Sequence, residues 1–250
     1  MRALTVVLAV SAALAVPLVC TANPAPCLVG PTGIITVPNT ELVKPQSVDL
    51  GGHFFDYEAE DHTWHARIWH VNVGLCDNVE LTVTPWAGSN SDDLGFTTFG
   101  AKWALMAEPD DSMGLAVGVY ELGMEWNEDG DEQTPIWYIV GSKSLTDLAA
   151  DKRPVRVNVG LELADNAWGA FWLKEHVLDE EDEDSPNLFL GVDAEVCKHL
   201  TVLADTNEFE DFNFGARVNP CDDLTVDLLS LDAWCGREFV LGFAYNHAWK

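Results

Sequence analysis

The chain has 250 residues, of which 48% are hydrophobic and 10% aromatic, and its formal net charge at pH 7 is −28. So many apolar and aromatic residues exclude a disordered acidic protein. The acidic excess excludes nucleic acid as a partner, because a chain of this charge repels phosphate backbones.

The first 22 residues have the features of a secretory signal peptide. A basic start at Arg2 precedes an apolar run over residues 3–18, and small residues before Asn23 permit cleavage. The run is short for a membrane span, and Pro17 interrupts it. We therefore expect residues 1–22 to be removed on export, and no later stretch is apolar enough to form a transmembrane helix.

Residues 23–46 contain five prolines and two glycines, which prevent regular secondary structure. We expect this segment to be an extended lead-in on the periplasmic side. A single β-barrel domain over residues 47–250 would follow it.

From Ser47 onward, apolar and polar residues alternate with the period of two that is typical of β-strands. In the clearest run, over residues 155–163, the odd-numbered residues are all apolar, while Arg156, Asn158 and Glu162 share the other face. The pattern predicts twelve strands, near residues 47–56, 64–75, 79–88, 95–106, 113–124, 136–145, 154–164, 187–196, 199–206, 211–219, 224–231 and 238–248. We expect the apolar stretch Trp168–His176, within residues 167–177, to belong to a long outer loop, although it could form a thirteenth strand.

Alternation alone does not distinguish a membrane barrel, with its apolar face outward, from a soluble sandwich with its apolar face inward. The connections favour the barrel, because those after even-numbered strands are short and the opposite set includes the longest. We therefore predict an all-β, antiparallel up-and-down transmembrane β-barrel of about twelve strands in the bacterial outer membrane. Outer-membrane lipid and the barrel-assembly machinery would be its partners. The alternative is a soluble secreted β-sandwich that binds cations or glycans through acidic loops.

In a barrel, the polar faces of the strands line the lumen. The predicted lumen residues are Lys102, Glu121, Arg156, Asn158, Glu162, Asp193, Glu195, Asn213 and Arg217. Tryptophans within or at the ends of strands are expected in aromatic girdles at the membrane surfaces, namely Trp69, Trp86, Trp103, Trp137 and Trp249.

The same hairpin-turn pattern occurs three times in the sequence, and its three copies begin at Cys76, Cys197 and Cys221. Strand parity places all three turns at the periplasmic rim. Cys197 could pair with Cys221, and Cys27 with Cys76, but the sequence leaves the connectivity open. Free cysteines at tight turns are an equal alternative.

Acidic residues concentrate in the predicted outer loops, most densely at Asp179, Glu180, Glu181, Asp182, Glu183 and Asp184. This run lacks the alternating ligands and the glycine of an EF-hand, so we expect a solvated loop that binds Ca²⁺ or Mg²⁺ loosely at most. The sequence contains no HExxH, GxSxG or P-loop motif. We therefore expect neither a cofactor nor an enzyme activity.

Several phrases resemble the YjbH-like family of bacterial outer-membrane barrels, which is associated with exopolysaccharide production. They cover residues 30–38, 100–102, 113–119, 138–143, 203–207 and 212–218. The resemblance implies a barrel with a link to envelope polysaccharide and supplies no catalytic residues. We therefore expect a narrow channel or envelope scaffold linked to exopolysaccharide production or export, with polysaccharide as a partner.

Overall fold

A computed structural model describes residues 24–59, 62–88, 96–107, 113–122, 125–126, 131–132, 135–145, 153–163, 187–207, 211–233 and 236–249. The strands in these ranges are β1 (Ser47–Ala59), β2 (His62–Cys76), β3 (Val79–Gly88), β4 (Phe96–Met106), β5 (Met113–Leu122), β6 (Glu125–Trp126), β7 (Asp131–Glu132), β8 (Ile136–Ser144), β9 (Val155–Leu163), β10 (Asn187–Cys197), β11 (Leu200–Asn207), β12 (Asp211–Cys221), β13 (Leu224–Ala233) and β14 (Gly236–Ala248). No helix within the described ranges is long and apolar enough to cross a membrane. The stretch Trp168–His176 lies outside the described residues.

Twelve of these strands form a closed antiparallel barrel, in the order β1-β14-β13-β12-β11-β10-β9-β8-β5-β4-β3-β2. The short strands β6 and β7 pair separately, within the connection between β5 and β8. Pairing of β1 with β14, from Ser47 opposite Ala248 to Phe55 opposite Val240, closes the barrel. The prediction of a twelve-stranded up-and-down barrel is confirmed, and the sandwich alternative is not supported.

The outer face of the barrel is apolar and the inner face is polar. Trp137 and Val159 have exposed fractions of 57% and 46%, whereas Ser142 and Asn158 on the same two strands have 1% and 0%. A soluble protein would bury the first pair rather than the second. This sidedness suits hydrocarbon, because a closed barrel pairs every strand and shows lipid only apolar side chains. Further exposed apolar residues on other strands include Leu50, Leu81, Phe99, Leu188, Val202, Phe214 and Phe243.

The predicted girdle tryptophans divide into two groups. The side chains of Trp69, Trp103, Trp137 and Trp249 are exposed. Trp86 is instead partly buried and packs against the apolar cluster inside the barrel. It faces inward because it continues the alternation of the buried Thr82 and Thr84 on β3.

The structure contains neither disulfide considered from the sequence, since Cys27, Cys76, Cys197 and Cys221 are all free thiols. Cys197 and Cys221 end β10 and β12, between which β11 lies. With about 4.8 Å between neighbouring strands, their Cα atoms lie beyond the roughly 7 Å that a disulfide can span. Cys27 is buried inside the barrel, whereas Cys76 is exposed at its rim.

Residues 24–43 lie inside the barrel, and the exposed residues 44–46 connect them to β1, which corrects the prediction of a periplasmic lead-in. Ile34, Ile35 and Val37 are at most 1% exposed and pack in the same apolar cluster as Phe189 and Tyr138 of the wall. Proline and glycine prevent this segment from joining the sheet, as expected, but its backbone polar groups find partners on the lumen wall instead. We call residues 24–46 the plug.

The outward position of Val159, midway along β9, gives a test of the membrane face. We expect Val159→Arg to destabilise the assembled barrel by about 2–4 kcal/mol, because an arginine at the bilayer midplane is costly. Leu163→Arg at the end of β9 is the matched control and should cost about 0–1 kcal/mol. Urea titration in lipid vesicles measures both values. Equal effects at the two positions would contradict a membrane-spanning β9.

Candidate functional site

The plug folds into a compact loop before it reaches the wall. Isolated bridges join Pro26 to Thr32 and Gly33 to Pro38, and the N–H of Leu28 donates to the carbonyl of Ile35. Gly30 has a φ of 123°, and a Cβ atom there would collide with the Thr84 side chain of β3. Glycine is therefore required at this turn.

Asp205 on β11 holds the tip of the plug. One of its oxygens, Oδ2, accepts the N–H groups of Ile35, Thr36 and Val37 at 2.9, 2.7 and 3.3 Å. Its other oxygen accepts the Thr36 hydroxyl at 3.1 Å and the Asn213 amide at 3.0 Å. Three consecutive N–H groups that converge on one carboxylate form an anion-binding nest, and here the wall supplies the anion.

Glu80 and Lys102 form a second anchor on β3 and β4. The Glu80 carboxylate accepts the N–H groups of Thr32 and Val43 at 2.9 and 2.8 Å. The Lys102 ammonium lies 3.8 Å from Glu80 and donates to the carbonyl oxygens of Thr32 and Asn39 at 2.7 and 3.4 Å. Both charged side chains are completely buried, so each depends on the other and on the plug for its polar contacts.

Arg217 on β12 forms the third anchor. Its guanidinium makes a bidentate pair with Asp227 of β13 at 2.9 and 3.0 Å. The remaining donors reach the plug carbonyl oxygens of Gly33 and Ile34 at 3.2 and 3.1 Å. The pair therefore neutralises its own charge and still presents two donors to the plug.

Arg156 and Glu41 connect the wall to the later part of the plug, with 2.6 Å between Nη1 and Oε1. Burial would raise the pKa of the Glu41 carboxyl, but the Arg156 guanidinium outweighs it, so the pKa lies below its usual value of 4.5. Asn72 and Ser142 add hydrogen bonds to Gly30 and Thr40. The plug is thus bound along most of its length.

Burial of the plug also lowers the reactivity of the Cys27 thiol. Cys27 lies in the plug with an exposed fraction of 1%, and burial raises the pKa of its thiol to about 12. A thiol that is both inaccessible and protonated at neutral pH reacts slowly with alkylating reagents. Cys27 is therefore a natural reporter of plug release.

A cavity of about 200 Å³ remains between the plug and the wall. The plug contributes Gly33, Ile34, Asn39 and Glu41 to its lining. The wall contributes Pro154, Arg156, Asp193, Glu195, Thr201, Leu203 and Arg217. The cavity lies near the start of β9, the end of β10 and the start of β11, at the rim from which β1 starts.

Beyond the plug contacts, the wall carries a second polar group. The Tyr120 hydroxyl donates to Glu162 at 2.8 Å, and the Asn207 amide donates to the other oxygen of that carboxylate at 3.3 Å. Glu121 follows Tyr120 in a bulge opposite Gly100 and has a φ of 61°. Its Oε2 atom is buried with no hydrogen-bond partner among the described residues.

All nine predicted lumen residues lie on the inner side of the barrel. Lys102, Asn213, Arg217 and Arg156 meet the plug or its anchors. Asn158 contacts Ser142 and Asp193 of the neighbouring strands, whereas Glu121 and Glu162 belong to the second polar group. Asp193 and Glu195 line the cavity.

Sequence reasoning missed several wall residues of equal importance, namely Asp49, Glu80, Asp205 and Asp227. Each shares the inward face of its strand with other buried polar residues, so strand parity could have found them. It also missed a buried histidine pair, in which His53 Nδ1 and His70 Nε2 are 2.8 Å apart.

The inner wall carries far more acid than base. Among the described residues, its basic side chains are those of Lys102, Arg156 and Arg217, and they face eight acidic ones, namely Asp49, Glu80, Glu121, Glu162, Asp193, Glu195, Asp205 and Asp227. Within the described part of the chain, no group of three or more His, Cys, Asp or Glu residues is placed to hold a metal ion. The acidic run Asp179–Asp184 lies outside the described residues.

Solved structures with similar folds are outer-membrane channels. The KdgM porin has a TM-score of 0.52 at 11% identity, with 80% of this chain and 98% of the porin covered. The KdgM porin in complex with disordered oligogalacturonate gives 0.50 at 10% identity, with the same coverage of 80% and 98%. The COG4313 outer membrane channel from Pseudomonas putida F1 gives 0.47 at 12% identity, covering 83% of this chain and 97% of that one.

The chain has the fold of an outer-membrane porin. At these identities the likeness concerns the fold and not the solute. No protein-family model and no curated protein matches the sequence. The YjbH-like resemblance is therefore not confirmed.

The Asp205 anchor gives a direct test of plug binding. We expect Asp205→Ala to speed maleimide labelling of Cys27 by at least about tenfold, because three buried N–H groups lose their acceptor at roughly 1–3 kcal/mol each. Mass spectrometry of the Cys27-containing peptide measures the rate. The control is Asp56→Ala, which alters an exposed pair with His65 away from the plug. Unchanged labelling of Cys27 in the Asp205 variant would contradict the anchor.

The Glu41–Arg156 pair predicts a pH dependence. Since the pKa of Glu41 is depressed while the plug is bound, the pair's contribution is complete above pH 4.5 and is lost as the pH falls through the lower, bound-state value. We expect Glu41→Gln to weaken protection of the plug amides against hydrogen exchange at pH 7. The difference between the variant and the wild type should shrink as the pH falls below 4.5 and disappear below the bound-state pKa, after correction for intrinsic exchange rates. A difference that does not vary with pH would argue against the ion pair.

Proposed function

We propose that this protein is an outer-membrane channel that its own N-terminal segment keeps closed. The single observation that carries the proposal is the position of the plug, which fills the lumen of a barrel whose outer face is apolar. Twelve-stranded barrels lie between those that side chains fill completely and those with a wide aqueous channel. The plug accounts for the volume that wall side chains alone would leave.

The charge of the wall restricts the solute. On the described part of the wall, acidic side chains outnumber basic ones by eight to three, and this excess gives the lumen a negative potential, which repels polyanions and favours neutral or cationic solutes. The similar KdgM porin is described in complex with oligogalacturonate, which is a polyanion. We propose that this chain passes solutes of a different charge.

The link to exopolysaccharide production or export belongs to the same proposal. It is supported by the YjbH-like phrases, two of which meet in the lumen, since residues 35–37 of the first phrase contact Asp205 of the fifth. A polysaccharide handled by this lumen would be neutral, because an acidic one would face the carboxylates of the wall.

Conductance of the full chain in planar bilayers tests the proposal. The wild type should conduct poorly, whereas Gly33→Val should raise the conductance by at least about tenfold by displacing the plug. A Cβ atom at Gly33 would collide with the carbonyl of Val37 and the side chain of Cys27 within the plug itself. A potassium chloride gradient should then reveal preference for the cation.

The matched control is Gly141→Ala, where the new Cβ atom meets its nearest neighbour at an ordinary 3.7 Å. This variant should conduct as poorly as the wild type. A Gly33→Val protein whose Cys27 reacts freely but which still does not conduct would reject the channel.

A further inference from the structure

The wall binds the plug mainly through the main chain of the plug. Among the described residues, twelve hydrogen bonds join wall side chains to backbone N–H or C=O groups of the plug. Polar contacts between the wall and plug side chains number four among the described residues, and they involve Thr32, Thr36 and Glu41. The wall therefore binds the looped plug more through its main chain than through its side chains.

The apolar contacts are equally permissive. Ile34 of the plug packs against Gly191 of β10. A Cβ atom at position 191 would collide with the Cδ1 atom of Ile34. The glycine leaves room for a bulky side chain without contributing a polar group that would specify it. Any β-branched or aliphatic residue of similar size fits such a pocket.

The hydrogen-bond donors and acceptors of the wall suit a peptide better than a sugar. Asp205 Oδ2 collects three N–H groups from consecutive residues, while Lys102 and Arg217 supply donors to the carbonyl oxygens of the preceding residues 32–34. A polypeptide presents N–H donors and C=O acceptors in this way. A sugar ring carries hydroxyl groups and has no such run of N–H donors.

We infer that the lumen wall is a binding site for a looped polypeptide segment of no net charge, which the plug occupies in cis and which a segment of a partner protein can occupy in its place. The plug itself sets the required chemistry, since Glu41 and Lys44 are its charged residues and glycine and proline keep it out of the sheet. Such a partner would open or close the barrel by exchanging with the plug. The inference rests on the proposed function only in requiring that the plug can leave.

Binding of a synthetic peptide to the full-length protein tests the inference without any measurement of conductance. The protein is purified in detergent as Gly33→Val and, separately, as Gly30→Val, because both substitutions disturb the plug and neither replaces a residue of the wall. Heat-modifiable gel mobility confirms that each barrel is folded. Labelling of Cys27 identifies the variant whose plug is displaced.

The probe is a fluorescent peptide of residues 24–46, and its anisotropy reports binding. We expect it to bind the displaced variant, and to bind the wild type at least roughly tenfold more weakly because the tethered plug competes. The same peptide with N-methyl groups on residues 35, 36 and 37 keeps every side chain but loses the three donors to Asp205. It should bind at least roughly tenfold more weakly than the unmodified peptide.

A peptide with Ile35→Val and Thr36→Ser should bind within about threefold of the original, because its backbone donors are unchanged. Equal binding of the N-methylated peptide would overturn backbone recognition. So would the absence of peptide binding to a variant whose Cys27 is reactive, or competition by a neutral oligosaccharide as effective as the peptide. An unreactive Cys27 in both variants would also overturn the inference, since no second segment could then enter. Peptide binding without conductance would reject the channel and keep the inference.

Discussion

The fold depends on how the backbone of an irregular segment is satisfied inside a barrel. A segment rich in proline and glycine cannot pair with the sheet, and its N–H and C=O groups would be costly to bury alone. Asp205, Glu80, Lys102 and Arg217 supply the missing partners at distances between 2.7 and 3.4 Å. The dependence is mutual, because these buried charges would be equally costly against an apolar segment that offered them no polar partner.

This constraint also explains why the inner wall carries charged side chains in some places and apolar side chains in others. The charged anchors lie where the plug presents its backbone, and apolar side chains such as Phe189 lie where it presents Ile34, Ile35 and Val37. The outer face needs no such matching, because lipid accepts any apolar side chain. One closed sheet therefore combines a permissive exterior with a lumen whose charged anchors are matched to the plug.

Strand positions and sidedness could be predicted from the sequence because both follow from a local period of two. The inward or outward position of each residue in Val155–Leu163, and of Lys102, follows from the local alternation alone. The plug could not be predicted in the same way, since the contact of Ile35 with Asp205 spans 170 positions and proline-rich residues indicate only the absence of regular structure. The cysteine turns were placed at one rim by parity, but pairing required the strand order, which puts β11 between Cys197 and Cys221.

The position of the plug tip is the central claim, and a cysteine crosslink measures it most directly. The Thr36 hydroxyl lies 3.3 Å from the Asn213 amide, so Thr36→Cys combined with Asn213→Cys should form an intramolecular disulfide in intact outer membranes on mild oxidation. The account predicts a crosslinked band that reducing agent removes and that neither single variant gives. A protein that forms no crosslink, while its residue-36 cysteine reacts with a bulky water-soluble maleimide, would show that the plug lies outside the lumen.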